Sequence, residues 1–355
     1  VTIEGRGVQV TAWRCLLKGT LGYMVPVYLL DTDLPENAPE DRRLTDSLYG
    51  GDLRYRLCQE VVLGIGGVRM LRALGYRDVQ AYHMNEGHSA LLALELLEEA
   101  AAAGAGDTAV DTVRRNCVFT THTPVPAGHD KFPRDLVLDV LGPQALAALD
   151  QHACCVDGVV NMTHMALVFS RYINGVSMRH EEISRDMFPG YPINSLSNGV
   201  HVGTWAGGPM AELYDRYLPD WRRDSFHLRY AWKIPAREIL RAHAEAKREL
   251  VLAVQARTGV ALDPQAFTLG FARRAAVYKR ADLLFTEPDR LAAIAERVGP
   301  VQCVFAGNAH PADAAGAEVI RRVFAAAERL QGRLTVVYVA DYAVEFAKLL
   351  CAGAD

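Results

Sequence analysis

The chain has 355 residues, of which 50% are hydrophobic, 23% charged and 8% aromatic, a balance that suits two globular domains and excludes a disordered or collagen-like polypeptide. A formal net charge of -4 with both signs interspersed argues against nucleic acid as the main partner, because neutralising phosphates takes a concentrated basic face. Apolar stretches such as 155–170 are broken by Asp157, Asn161 and His164, short of the ~20 apolar residues that a membrane-spanning helix needs.

In chain order, Val8, Val10 and Ala12 alternate with polar neighbours, and a Gly19 to Gly22 turn leads into Val25 to Leu30, predicting a strand pair. Residues 32–52, with Pro35, Asn37, Pro39, Gly50, Gly51 and many acids, read as a surface loop or lid. Helical spacing runs from Leu53 to Leu74. Val79 to Met84 reads as a strand, Asn85-Glu86-Gly87 as a turn, 88–103 as a helix and Asn116 to Thr121 as a strand. A crossover of that length implies parallel pairing with a right-handed connection. Ligands of such sheets bind at the strands' carboxyl ends, where Asn85-Glu86-Gly87-His88 and Thr121-His122-Thr123-Pro124 fall. Residues 160–187 read as two helices separated at Asn174-Gly175, and Pro192 to Leu196 as a short strand ending at Ser197-Asn198-Gly199. A second unit begins near Val200, so the predicted division is 1–199 and 200–355. There a polar helix over 236–257 precedes three strand-then-helix repeats: Phe267 to Phe271 before a basic turn, Val301 to Ala306 before Gly307-Asn308-Ala309-His310-Pro311, and Leu334 to Val339 before Asp341-Tyr342.

The basic turn, Arg273-Arg274-Ala275-Ala276-Val277-Tyr278-Lys279-Arg280, carries four cations after a strand and at an expected helix start. Such a group holds an anion by charge-assisted hydrogen bonds, with help from helix N–H groups, and phosphate is the obvious ligand. The competing reading is a solvated basic face. His83, His88, His122 and His129 around Glu86 raise a zinc site, but no H-E-x-x-H pair or cysteine pair completes it. Leu63-Gly64-Ile65-Gly66-Gly67 resembles a dinucleotide turn with Met70 where the third glycine belongs; Gly66 and Gly67 equally suit close helix packing. Seven cysteines without a C-x-x-C pair read as buried thiols in a reducing, cytoplasmic compartment. The abrupt ends at Val1 and Asp355, without signal pattern or initiator Met, predict a fragment.

Several long runs together resemble one family, the alpha-glucan phosphorylases of the shorter bacterial and archaeal type. They are Leu30-Asp31-Thr32, Leu48-Tyr49-Gly50-Gly51-Asp52, Gln59 to Gly67, His83 to Ser89, Phe119 to Gly128, Ser170 to Ile183, Ser197 to His201 with Thr204-Trp205, Gly270 to Leu284, Phe305 to Asp313, and Asp341-Tyr342. The resemblance implies an α/β fold of two facing doubly wound, Rossmann-like domains of the glycosyltransferase B type, truncated at both ends. It implies transfer of the terminal glucosyl unit of an alpha-1,4-glucan or maltodextrin to inorganic phosphate, giving glucose 1-phosphate, with pyridoxal phosphate as cofactor. Carried over by position, His122 lines the glucose pocket and supports the developing oxocarbenium ion. Arg274 and Lys279 hold the substrate phosphate, and Tyr278 reaches the sugar. Asn198, Glu86 and His88 serve the sugar pocket, and Asp52 lies in the loop that gates it. Trp205, Arg273, Tyr342 and Lys279 pack the cofactor. The sequence departs from the family pattern at Asn308, commonly Lys, and at Ala343. No lysine here fits the Schiff-base position, so the isolated chain is expected to be inactive. A non-catalytic glucan-binding domain and a nucleotide-sugar glycosyltransferase stay open, as does homo-oligomerisation; the NAD-dependent oxidoreductase reading of 61–86 gives way to a helix.

Overall fold

The structure is a computed structural model that describes every residue except 20, 48–50, 153, 157 and 310–312. Asp157 and the segments Leu48-Tyr49-Gly50 and His310-Pro311-Ala312 of the matching runs lie outside the described residues. The chain divides into two compact units, Val1–Gly199 and Val200–Asp355.

In the first unit the opening ribbon starts at Thr11 rather than at Val8, which is buried in the core. Strand β1 (Thr11–Lys18) pairs antiparallel with β2 (Met24–Asp31), Thr11 opposite Asp31 and Lys18 opposite Met24. Helix α1 (Leu53–Ala73) begins where Asp52 accepts a hydrogen bond from the Tyr55 amide, satisfying one orphan donor of the first turn. The glycines of 64–67 therefore lie mid-helix, and the dinucleotide turn is overturned. Gly64, rather than Gly66 or Gly67, lets two elements close up: a Cβ there would stand 2.7 Å from the amide nitrogen of Leu92, at the start of α2 (Leu92–Ala102).

Strands β3 (Tyr82–Asn85) and β4 (Cys117–Thr120) pair parallel, as their long crossover dictates. One expectation fails between 160 and 187. After α3 (Met162–Val168) the chain forms a strand, β5 (Tyr172–Gly175), before α4 (Met178–Met187). A four-residue strand buried inside a parallel sheet shows no alternation, so periodicity could not separate it from its flanking helices. With β6 (Ile193–Ser195) the parallel sheet has the order β6-β5-β4-β3. Met84, Phe119, Ile173 and Ile193 stand level across it, all buried, so the register is locked by one apolar row.

The second unit holds α5 (Ala236–Thr258), β7 (Phe267–Ala272), α6 (Pro288–Val298), β8 (Val301–Ala306), α7 (Ala314–Arg329), β9 (Thr335–Val339) and α8 (Val344–Gly353). The three strands are parallel in the order β7-β8-β9. Every residue of β8 is buried, and its side chains alternate between two cores as a strand's period of two requires. Val304 and Ala306 meet Leu250, Val254, Phe346 and Leu350 of α5 and α8, while Cys303 and Phe305 meet Ala292, Val323 and Leu330 beside α6 and α7. Helices thus cover both faces of the sheet.

The cysteine expectation holds in part. Cys58, Cys117, Cys154 and Cys303 are buried, and burial pushes the last three thiols up to about 12, but Cys15 and Cys351 are exposed. No helix among the described residues is long and apolar enough to cross a membrane.

Candidate active site

At the carboxyl end of the first sheet, Glu86 follows β3 and His122 follows β4. The His122 amide donates to Glu86 Oε2 at 2.7 Å and the Thr123 hydroxyl donates to the same oxygen at 2.9 Å. The imidazole of His122 is exposed. Asn198, beyond β6, is exposed as well, and its amide donates to the carbonyl of Val176 at 3.2 Å, tying it to the end of β5. Three of the expected sugar residues therefore share one sheet edge, built by the parallel order itself.

Two others sit differently. Asp52 is the exposed cap of α1, holding the Tyr55 amide at 2.8 Å, a structural duty that the loop reading did not include. His88 lies half-buried in a short helical turn, Gly87–Ser89, where burial holds it below the usual imidazole range. It lines a cavity of about 410 Å³ together with Tyr28, Leu30, Leu44, Gln59 and Glu60.

Glu60 was missed by sequence reasoning. It is 3% exposed, and neither carboxyl oxygen finds a donor among the described residues. Burial drives its pKa well above the ordinary 4.5; the nearby Asp130 carboxylate adds to that push, and Arg56, paired with Asp130, opposes it. A proton on Glu60 supplies the one hydrogen bond that two adjacent carboxyl groups can make. The folded state thus holds this proton more tightly than the unfolded chain. The stability it brings is complete below about pH 4.5 and is lost as pH rises through the elevated folded value. Urea midpoints at pH 5 and pH 8 are expected to converge when Glu60 is replaced by Gln, with the variant at least as stable as the parent at pH 8. An unchanged pH slope would contradict the assignment.

In the second unit Arg273 and Arg274 follow β7 directly. Two hydrogen bonds hold their backbone: the Arg273 amide donates to the Ala306 carbonyl and the Ala275 amide to the Asn308 carbonyl, both at 3.1 Å. Two glycines permit the close fit. A Cβ on Gly307, whose φ is +146°, would fall 1.9 Å from the Arg273 carbonyl oxygen, and one on Gly316 would fall 2.2 Å from that of Ala275. Asn308, a departure from the family pattern, thus contributes through its backbone. Ala343, the other, precedes α8 without a side-chain cap.

The helix expected at this turn is absent. Val277–Lys279 is a single 3-10 turn, α6 begins only at Pro288, and the first turn of α7 is already capped by Asp313, which accepts from the Gly316 amide at 2.8 Å. Side chains, and not helix N–H groups, are what this turn offers an anion. Arg273, Arg274 and Arg280 are exposed and Lys279 is half-buried, 4.8 Å from the centre of the Tyr278 ring. Among the described residues none of these four cations makes an ion pair. Elsewhere in the same unit Arg322 pairs with Asp282, and Arg329 and Arg333 pair with Asp289. Trp205 closes a short helix, Val202–Trp205, at 36% exposure, and Tyr342 packs half-buried on the core beneath α8.

Both units hold parallel α/β sheets with polar side chains at strand carboxyl ends, the place where sheets of this class take their ligands. A family model described as carbohydrate phosphorylase matches residues 143–355, and the chain belongs to that family. It is 36% identical to a maltodextrin phosphorylase of Thermococcus litoralis over 93% of this chain and 43% of that protein. A glycogen phosphorylase of Mycobacterium tuberculosis is also 36% identical, over 93% and 44%, and one of Aquifex aeolicus is 33% identical, over 93% and 53%. The chain spans about half the length of the curated relatives it matches.

Proposed function

We propose that the protein works as an alpha-1,4-glucan phosphorylase, moving the terminal glucosyl unit of a glucan or maltodextrin onto inorganic phosphate to give glucose 1-phosphate. The observation that carries this reading is the cation set at 273–280, clamped through its backbone and, among the described residues, without a carboxylate partner. An arginine fork and an ammonium held without carboxylate partners suit a phosphate dianion. His122 and Asn198, at the first unit's sheet edge, suit the sugar: an exposed imidazole and an amide side chain can hold hydroxyls, and in this reading the His122 turn serves the developing positive charge. The glycosyltransferase B arrangement of the two units belongs to this reading.

The same cations bear on the cofactor. Arg273 and Lys279 fit its phosphate, and the rings of Trp205 and Tyr342 are of the kind that pack a pyridine ring. None of the six lysines is assigned a covalent link in this reading; the buried one, Lys247, donates to Asp355 Oδ2 at 2.5 Å and to the Ala266 carbonyl at 2.6 Å. Pyridoxal phosphate would supply a phosphate that exchanges a proton with the attacking anion. The chain's own part is to hold two like charges close, which at low dielectric requires fixed cations, and to seat the sugar. Seven unpaired cysteines support a reducing, cytoplasmic setting.

The test is glucose 1-phosphate formation from maltodextrin and phosphate by the intact polypeptide carrying this chain, with pyridoxal phosphate added. Product is expected. No product, or consumption of ADP- or UDP-glucose in its place, contradicts the proposal.

A further inference from the structure

The site has a residue whose carboxylate is spent on the protein itself. Glu86 Oε2 receives two donors, the His122 amide and the Thr123 hydroxyl, while Oε1 is sealed from solvent and has no hydrogen-bond partner among the described residues. The Glu86 amide in turn donates to the Thr120 carbonyl at 2.9 Å, so one residue grips the strand-end turn of β4 by both backbone and side chain. Its φ of +72° is sparsely populated for any residue with a side chain, and such conformations persist where the surroundings over-determine them.

The layer packed against it is polar and closed. Gly87 stands so near Thr163 that a Cβ would lie 2.9 Å from its amide and hydroxyl, and that hydroxyl is 2.8 Å from Nδ1 of buried His129. Glu86, Asp130, Lys131 and His180 all act electrostatically on His129. His180 is buried too. Its Nδ1 accepts from the Val176 amide, which places the ring proton on a sealed Nε2.

We infer that Glu86 is the positioning residue for His122 and makes no contact with the sugar, because one of its oxygens is occupied by the His122 turn and the other is out of reach of any ligand. The sugar-binding duty carried over for Glu86 is thereby replaced by orientation of the residue that follows β4. The kinetic part of this inference rests on the phosphorylase reading; the structural part does not.

Glu86→Ala removes both acceptors, whereas Glu86→Gln keeps a carbonyl oxygen for the His122 amide. Hydrogen exchange at the His122 amide, followed by NMR in this chain, is expected to quicken about tenfold or more in E86A and to stay within about threefold of the parent in E86Q. In the intact polypeptide, E86A is expected to lower kcat about tenfold or more with the KM for maltodextrin within about twofold, and E86Q to restore most of the loss. Unchanged exchange in E86A overturns the inference. So does a raised KM with intact kcat in both variants, the mark of a direct sugar contact. If E86A does not fold, E86Q decides alone: retained protection with near-parental kcat supports positioning, and lost protection overturns it. Absence of activity in the parent would sink the phosphorylase reading and leave the exchange result standing.

Discussion

Replacing Arg274 and Lys279 together by alanine is expected to lower kcat/KM for inorganic phosphate by about a thousandfold or more, since removing a single preorganised charge-stabilising donor already costs about 10²–10³. The KM for maltodextrin should hardly move. The reason lies in what these groups lack. Clustered cations without carboxylate partners repel one another, and no described carboxylate pairs with them, although Arg322, Arg329 and Arg333 of the same unit are all paired. An anion relieves that repulsion and accepts their hydrogen bonds. Arg274→Lys keeps charge and loses the planar fork, so an intermediate loss is expected. Arg297→Ala, on the exposed face of α6, removes one positive charge outside the turn and is expected to leave phosphate kinetics unchanged. Steady-state assays at fixed ionic strength separate these outcomes; equal losses in Arg297→Ala and the double variant would reduce the effect to net charge.

Gly307→Ala is expected to destabilise the second unit by about 3 kcal/mol or more, a cost typical of backbone overlap combined with an unfavourable φ. For a unit of this size that corresponds to a fall in Tm of roughly 6–12 °C. The added methyl would sit 1.9 Å from the Arg273 carbonyl oxygen and 2.8 Å from its carbon, both backbone atoms that no rotamer change can move aside. Relief requires pulling β8 away from β7 at the point where Arg273 is hydrogen-bonded to the end of β8 and Ala275 to Asn308 just beyond it. Thermal unfolding followed by circular dichroism checks it. An unaltered Tm would mean that the basic turn is not held against Gly307.

The second unit was largely legible because its strands are strongly marked. Val301 to Ala306 is apolar except for Gln302, is bounded by Gly299-Pro300 and Gly307, and is followed by a helix with a clear polar face. The four cations of the basic turn stood out in the sequence, but its local structure did not, since nothing in Ala275-Ala276-Val277 tells a 3-10 turn from the first turn of an α-helix. Tyr172–Gly175 was lost between helices because a short strand buried on both faces has no period. Glu60 was overlooked although a signal existed: it lies on the face of α1 defined by buried Leu57, Val61, Gly64 and Val68, where helical spacing demands an apolar residue. A charged residue at such a position departs from its local pattern, as functional and strained positions do. Glu86 was found as a polar strand-end residue, but its inward-turned carboxylate depends on His122 and Thr123, which only the parallel pairing of β3 with β4 brings alongside.

A crystal structure of the intact polypeptide soaked with maltodextrin and phosphate puts the account to its most direct trial. The account predicts phosphate oxygens within about 3 Å of the Arg274 guanidinium and the Lys279 ammonium, with the terminal glucose beside His122 and Asn198. Phosphate bound elsewhere, with those cations in bulk water and remote from the sugar, would contradict it.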